Sequence, residues 1–527
     1  MLGYHCIVLH AHLPYIRHPE YDSFFEENWL FEAITETYVP IFNMLRRKQR
    51  KGHRQCLTLS LSPTLISMLA DPFLQKRFRN HMDKLRHLAK LEVKRTKDDP
   101  RFFRLAQLYQ QQLETVHDTY FDEINGDLIG AFVELHKANV IELITSAATH
   151  GFLPLLKAEP ATVRAQLKTG AQTFYDMTGV QAQGVWLPEC GYYEGLEAIV
   201  EDAGFGYFFV DSHGILNSKP RPYYGVNAPL LCPNGIAAFG RDPVTSRQVW
   251  SHDEGYPGDF YYRDFYRDIG FDLEMDYIRP FILDGETRIH TGFKYYRITG
   301  HDVEKEVYDL ERAQERINSH ADDFVKRVLA QLGQQESRDK PAPLIISPYD
   351  AELFGHWWFE GPGWLEAVIE HYSENADKVA LSTPSTYLSQ NPMLQVAEPS
   401  ASSWGNGGYN AFWLNEGNDW IYPYLHDASK RMQSLVELFH NTGPGTLTYR
   451  ALQQAGRSLL LAEASDWAFF MKTGTAQEYA YNRTRDHLAR FNYLETVLRN
   501  NTIDERRLQA LEVMDPIFPN LVLEYFS

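Results

Sequence analysis

Short apolar runs punctuate the first three quarters of the chain. They are YHCIVLH (Tyr4–His10), QCLTLSLS (Gln55–Ser62), VIELITS (Val140–Ser146), GVWLPE (Gly184–Glu189), YFFVDSH (Tyr207–His213), LIISPYD (Leu344–Asp350) and KVALSTPS (Lys378–Ser385). Each is rich in β-formers, too short for a helix, and flanked by Pro, Gly or Ser. That is the pattern of strands buried in a parallel sheet. Helical patterns lie between several of them, such as WLFEAITETYVPIFNMLRRK after the first. Strands alternating with helices predict an α/β fold, and this many units predicts a barrel.

The alternation breaks twice. Residues 71–137, with FLQKRFRNHMDKLRHLAKLEVKR and FFRLAQLYQQQLETVHDTYFDEI, have helical periodicity and many charges, and read as a helical insertion after the second strand. From near Ser429 onward, MQSLVELFHN, YRALQQAGRSLLLAEASDWAFFMK and DHLARFNYLETVLRNN carry apolar stripes at helical spacing. The polar stretch LAQLGQQESRDKPAP reads as a surface loop leading into the LIISPYD strand.

Charge narrows the partners. The 51 Lys and Arg face 69 Asp and Glu, a net −18, which argues against nucleic acid, since that affinity rests on positive charge. No stretch approaches about 18 uncharged apolar residues, and MLGYHCIVLHAHLPY lacks a basic region before a long apolar run. No membrane span and no signal peptide are expected, which places the protein in the cytoplasm. Cys6, Cys56, Cys190 and Cys232 show no C-x-x-C spacing, so neither a disulfide framework nor a zinc ribbon is expected. Aromatic residues make up 14% of the chain, enough for a well-filled core or for a surface of flat rings that stack on sugars.

The ends of the apolar runs carry chemistry. His10, His12, His150, Glu189, Asp211, His213 and Asp350 stand there, at the face where β/α barrels build active sites. A single polar residue at a strand end is ordinarily a cap or a loop hydrogen bond; a succession of histidines and carboxylates is harder to explain that way. Glu189 and Asp350 offer the two carboxyl groups that glycosidic chemistry needs, or else a helix cap and a turn. Cys190 is the rival nucleophile, but the neighbouring Glu189 and Glu194 would raise its pKa, and on a strand it would point away from Glu189. Packing suits it better. His10, His12 and His150 could bind a metal, or hydrogen-bond sugar hydroxyls. Aromatic loops follow: LFGHWWFEGPGW (Leu353–Trp364) after Asp350, then SSWGNGGYNAFWLNEGNDWIYPYLHDA (Ser402–Ala428), with Trp404, Trp413 and Trp420.

HAHLPY, ELITSAATHGFLPLL, GVWLPECGY, SPYDAELFGHWWFEGPGWL and WGNGGYNAFWLNEGNDW, in this order and spacing, resemble the motifs of glycoside hydrolase family 57. The resemblance extends to AFGRDPVTSRQVWSHDEGYPGDFYYRDFYRDIG and to ASDW (Ala464–Trp467), covers nearly the whole chain, and is greatest to the family's 1,4-α-glucan branching enzymes. It implies a seven-stranded (β/α) barrel over residues 1–400, with the 71–137 insertion. A C-terminal α-helical domain, residues 401–527, would complete the cleft. It also implies retaining double displacement, with Glu189 as nucleophile and Asp350 as general acid/base. His10, His12 and His150 would serve the donor-sugar site. Trp29, Trp357, Trp404, Trp413 and Asp466 would bind substrate from the cleft walls. The implied substrate is an α-1,4-glucan such as amylose or glycogen; no metal or organic cofactor is implied. The same site could serve an α-amylase or a 4-α-glucanotransferase, a catalytically idle glucan-binding protein would share its aromatics, and a deacetylase-like metal enzyme is a further rival. The family's branching enzymes also carry a mobile lid with a tyrosine. Its counterpart, expected at Cys232–Trp250, has no tyrosine, and a lid that excludes water less well favours hydrolysis. The sequence does not define an oligomeric state, and a monomer is the simpler expectation.

Overall fold

The computed structural model describes residues 1–251, 254–282, 286–300, 303–335, 341–405 and 407–527. Nine strands make one sheet: β1 (Gly3–Ala11), β2 (Leu57–Leu61), β3 (Ile141–Ser146), β4 (Gly184–Trp186), β5 (Tyr207–Val210), β6 (Leu230–Leu231), β7 (Ala237–Gly240), β8 (Leu344–Asp350) and β9 (Val379–Leu381). The row β7-β5-β4-β3-β2-β1-β8 is parallel throughout. Its two ends meet. Just past β7, the Asp242 N–H donates to the Ile346 carbonyl of β8 at 2.9 Å. Ser347 Oγ donates to Thr245 Oγ1 at 2.7 Å across the same seam. These strands therefore close into a seven-stranded (β/α) barrel. β6 lies antiparallel on β7, and β9 flanks β1. Every residue of β2 and β3 is buried, as strands covered on both faces require.

Six of the apolar runs named above supply barrel strands, but KVALSTPS does not. Only Val379–Leu381 is extended there, beside β1, and Pro384 opens a helix, Pro384–Gln390. The seventh barrel strand is Ala237–Gly240. It lies inside the stretch expected to hold a lid. Cys232–Trp250 is instead β7 followed by the helix Pro243–Trp250, which Asp242 caps by accepting the Thr245 N–H at 2.7 Å. A two-turn helix clamped to the barrel seam is no mobile lid, so the lid's counterpart does not lie there. Leu329–Gly333, expected in a surface loop, finish the helix Leu310–Gly333, and residues 336–340 lie outside those described.

The helix after β1 runs from Glu27 to Arg50 and widens into a π turn at Ala33–Tyr38. Pro40 explains the widening, because proline lacks an N–H and crowds the carbonyl four residues back. The turn presents Tyr38, whose hydroxyl bonds Glu352 Oε1 at the barrel mouth. Helices Pro72–Arg95 and Pro100–His117 form the insertion. Asp71 and Asp99 cap them, each followed by a proline at the first helical position. The C-terminal helices are Ile421–Leu438, Leu447–Ala462, Ser465–Thr473, Gln477–Arg499 and Glu505–Met514. The first begins before Ser429, where apolar periodicity becomes visible. The bundle does not stand apart. Its Leu460 and Trp467 share one continuous apolar core with Leu153 and Phe152 of the barrel.

Candidate active site

Strand pairing sets His10, Ser60 and Asp350 side by side, because His10 of β1 is in register with Ser60 of β2 and Asp350 of β8. His10 also stacks on Trp186, the last residue of β4, at 4.6 Å with planes 4° apart. After Trp186 the chain makes a tight turn at Pro188–Cys190, with Glu189 and Cys190 at φ 60° and 49°. Left-handed backbone at a non-glycine residue costs about 1–3 kcal/mol and collects at functional sites. The turn is held by three backbone bonds, Cys190 N–H to the Leu187 carbonyl at 2.8 Å, Gly191 N–H to the Pro188 carbonyl at 2.9 Å and Trp404 N–H to the Glu189 carbonyl at 3.0 Å. It sends the two side chains apart. Cys190 is fully buried in an apolar cluster with Cys6 and Trp186, and burial raises its thiol pKa well above the usual range. Packing is its role.

Glu189 faces the mouth. Its Oε2 accepts the Trp404 indole N–H at 2.7 Å, and its Oε1 accepts the Ser465 hydroxyl at 2.9 Å. Burial pushes its pKa up to about 7; the Trp404 bond opposes this, the charge of Asp466 adds to it, and Ser465 and His12 oppose it. Asp350 is raised well above the carboxylate range, by burial first and then by the charges of Glu352 and Glu189, with Arg241 in partial opposition. Retaining double displacement needs Glu189 ionised and Asp350 protonated. The environment raises both, and the charge of Glu189 is itself one reason that Asp350 keeps its proton. Glu352, two residues on, is also raised by burial, and accepts the Tyr38 hydroxyl and the His12 N–H.

The histidines form a wired set. His10 Nε2 lies 3.0 Å from His150 Nε2. His10 Nδ1 lies 3.0 Å from Ser60 Oγ, and His150 Nδ1 lies 2.9 Å from Ser465 Oγ. One assignment of protons satisfies the line of bonds from Ser60 to Glu189. Ser60 donates to His10, His10 to His150, His150 to Ser465, and Ser465 to Glu189. Both rings are neutral in it, in keeping with pKa values that burial and the neighbouring histidines lower well below the usual. His12 differs. Burial would lower it, but Asp466, 3.1 Å from its Nε2, together with Glu189 and Glu352, turns the net shift upward.

Donor atoms of His12, His150 and Asp466 all lie within 4.8 Å of one another, so a metal needs testing here. The two imidazoles are stacked, 3.9 Å apart and 19° from parallel. Lone pairs lie in the ring planes, so near-parallel rings do not aim them at one ion as tetrahedral zinc ligation requires. The ring nitrogens are also engaged by His10, Ser465, Ser62 and Asp466. The arrangement fits a hydrogen-bonded network and not a ligand set.

The aromatic residues occupy different depths. Trp404, half-buried, lies against Trp186 at 5.3 Å and under the Arg241 guanidinium at 5.6 Å. Trp413 is 1% exposed and stacks on Phe152 at 4.5 Å, so it backs the loop and offers no free ring face. Trp29 packs on Phe470 of the bundle at 5.3 Å. Trp357 is 54% exposed and stacks on Phe265 at 4.4 Å, an open platform beyond Asp350. Sequence reasoning passed over Ser465, Glu352, Arg241 and Trp186. Ser465 and Glu352 adjoin residues it did name, Asp466 and Asp350. Trp186 and Arg241 gave only the signal of standing at a strand's C-terminal end.

A parallel barrel with two half-buried carboxyl groups at strand C-termini, ringed by aromatic and histidine side chains, has the form of a glycoside-cleaving enzyme's site. Residues 6–398 match glycosyl hydrolase family 57, and the chain belongs to that family. Residues 424–526 match the C-terminal region of 1,4-alpha-glucan branching enzymes. A 1,4-alpha-glucan branching enzyme of Thermococcus kodakarensis is 35% identical over 564 positions, covering 100% of this chain and 79% of the relative. Two solved structures are similar along their whole length. An alpha-amylase from Thermotoga maritima is 41% identical with a TM-score of 0.93, covering 100% of this chain and 99% of its own. A GH57-type branching enzyme from Pyrococcus horikoshii is 35% identical with a TM-score of 0.88, covering 100% and 97%.

Proposed function

We propose that the protein is a 1,4-α-glucan branching enzyme that works by retaining double displacement. Asp350, protonated, gives its proton to the leaving glycosidic oxygen while Glu189 attacks the anomeric carbon. A glucosyl ester of Glu189 results. Asp350 then takes the proton from the 6-hydroxyl of a second glucan, whose oxygen attacks the same carbon and releases Glu189. The product is an α-1,6 branch. Retention calls for carboxyl groups about 5–5.5 Å apart.

One observation carries the reading. The segment that matches branching-enzyme C-terminal regions delivers Ser465 to Glu189 and Asp466 to His12. We read residues 401–527 as the unit that completes a cleft in the 1–400 barrel. His10, His12, His150 and Asp466 would hold the donor sugar, with Trp29, Trp357 and Trp404 as stacking faces and Trp413 behind them. The substrate would be a polymeric α-1,4-glucan. Among the described residues no helix is long and apolar enough to cross a membrane. The four cysteines are free and buried. Both suit work in the reducing cytoplasm.

Hydrolysis is the second reading, favoured by the 41% identity to an amylase. Amylose decides between them. Branching yields new reducing ends only after treatment with an α-1,6-specific debranching enzyme. New ends before that treatment would establish hydrolysis instead.

A further inference from the structure

Asp211 and His213 follow β5, and neither has a part in the chemistry proposed above. Asp211 caps the short helix Ser212–Leu216, its Oδ1 accepting the Ser212 N–H at 2.6 Å. A cap needs only that one oxygen. Two further contacts lead from this pair to the loop that carries Trp404.

That loop needs holding. Gly405, Gly407 and Gly408 stand at φ 87°, 82° and 73°, and glycine loses more backbone freedom on ordering than any other residue. Before the indole, the loop is fixed by Tyr192, which exchanges backbone bonds with Ser402 at 2.8 and 3.1 Å, and by the Trp404 N–H on the Glu189 carbonyl. After it, the Gly408 carbonyl accepts two donors, the Ser403 N–H at 2.9 Å and His213 Nε2–H at 2.8 Å. The fit is close, since a Cβ on Gly408 would come within 2.7 Å of His213 Cε1.

His213 Nδ1 lies 3.4 Å from Asp211 Oδ1. Asp211 raises the imidazole pKa above its ordinary value; burial opposes the rise and the Gly408 carbonyl adds to it. The other Asp211 oxygen, Oδ2, lies 3.4 Å from Arg241 Nη1. That guanidinium donates through Nε to Ser246 Oγ at 2.8 Å and lies 5.6 Å from the Trp404 ring centre, within the reach of about 6 Å for a cation–π contact. One carboxylate thus orients two basic side chains, one on the loop's carbonyl and one on the indole. The indole N–H is the donor that opposes the rise in the Glu189 pKa.

We propose that Asp211 and His213 are positioning residues for the nucleophile: through Gly408 and Arg241 they fix the Trp404 loop, and so keep the indole N–H on Glu189. This rests on the reading of Glu189 as the nucleophile.

The acid limb of kcat/KM against pH, measured on amylose with the full-length protein, tests this. His213→Ala should move the limb to higher pH, in the direction of Trp404→Phe, and Gly408→Ala should do so from the loop's side. Asp211→Asn removes a negative charge, which acting directly on Glu189 would move the limb down; acting through the loop it should move the limb up. His213→Gln, whose amide can donate to the same carbonyl, should restore the wild-type limb. In His213→Ala/Trp404→Phe the limb should stand where Trp404→Phe alone puts it, because the bond that His213 secures is already gone. Shifts that add in the double variant, or a His213→Ala limb that stays in place while only the Tm falls, would overturn the positioning role and leave Glu189 as nucleophile. A limb unmoved by Trp404→Phe itself would overturn both.

Discussion

Glu189 is held in tension by its neighbours. Burial raises its pKa to about 7, while the Trp404 indole N–H opposes the rise. Replacing that indole with Trp404→Phe removes a bond to the ionised form, so the pKa should climb further. The acid limb of the kcat/KM profile should then move to higher pH; an unmoved limb would mean that Glu189 is not the group titrating there. The same shift has a consequence for stability. A glutamate that titrates at 4.5 unfolded and about 7 folded costs nothing below pH 4.5 and progressively more as pH rises to 7. Stability attributable to this group is therefore complete in acid and lost toward neutrality, by about 3 kcal/mol for a mostly buried side chain. Glu189→Gln should match wild type in denaturation midpoint near pH 4 and exceed it at pH 8. Asp350→Asn should lower kcat by about 10²–10⁴ through loss of the general acid, and an externally added small acid or nucleophile should restore part of it.

At the scale of elements, close approach decides several residues. Gly170 sits inside the helix Pro160–Thr178, where alanine would ordinarily be worth about 1 kcal/mol more than glycine. Here a Cβ would overlap the Ser146 carbonyl at the end of β3. Gly170→Ala should therefore destabilise, by about 1–3 kcal/mol as overpacking does, seen as a lowered Tm. Strands were legible where β-branched and large apolar residues ran together, as in LIISPYD. AAFG was not, because two alanines, a phenylalanine and a glycine carry little strand propensity. Small residues are required there, since a Cβ at Gly240 would come within 2.7 Å of Ile215. Six barrel strands were readable, and the seventh was hidden in the segment taken for a lid. Glu189 and Asp350 were readable because each ends an apolar run. Ser465 and Glu352 were not, since only folding brings a serine 276 residues away onto Glu189.

Across the whole molecule, the barrel mouth is finished by the C-terminal bundle. The His12–Asp466 pair joins the two, 454 residues apart in sequence. Asp466→Asn should let burial prevail and lower the pKa of His12, visible in its imidazole NMR titration; an unchanged pKa would separate the pair from the electrostatics of the mouth. The Trp404 loop and Ser465 also converge on one carboxylate, so bundle and loop together set the group on which the chemistry depends. The central claim is that Glu189 carries the glucosyl group between donor and acceptor. Trapping tests it most directly. The full-length protein is mixed with an activated fluorinated α-glucosyl fluoride that forms the ester quickly and releases it slowly, then quenched in acid, digested and analysed by mass spectrometry. The account predicts a glucosyl adduct on the peptide containing GVWLPECGYYEG, localised to Glu189 and absent from Glu189→Gln. An adduct on Asp350 or Glu352, or turnover with no adduct at any residue, would contradict it.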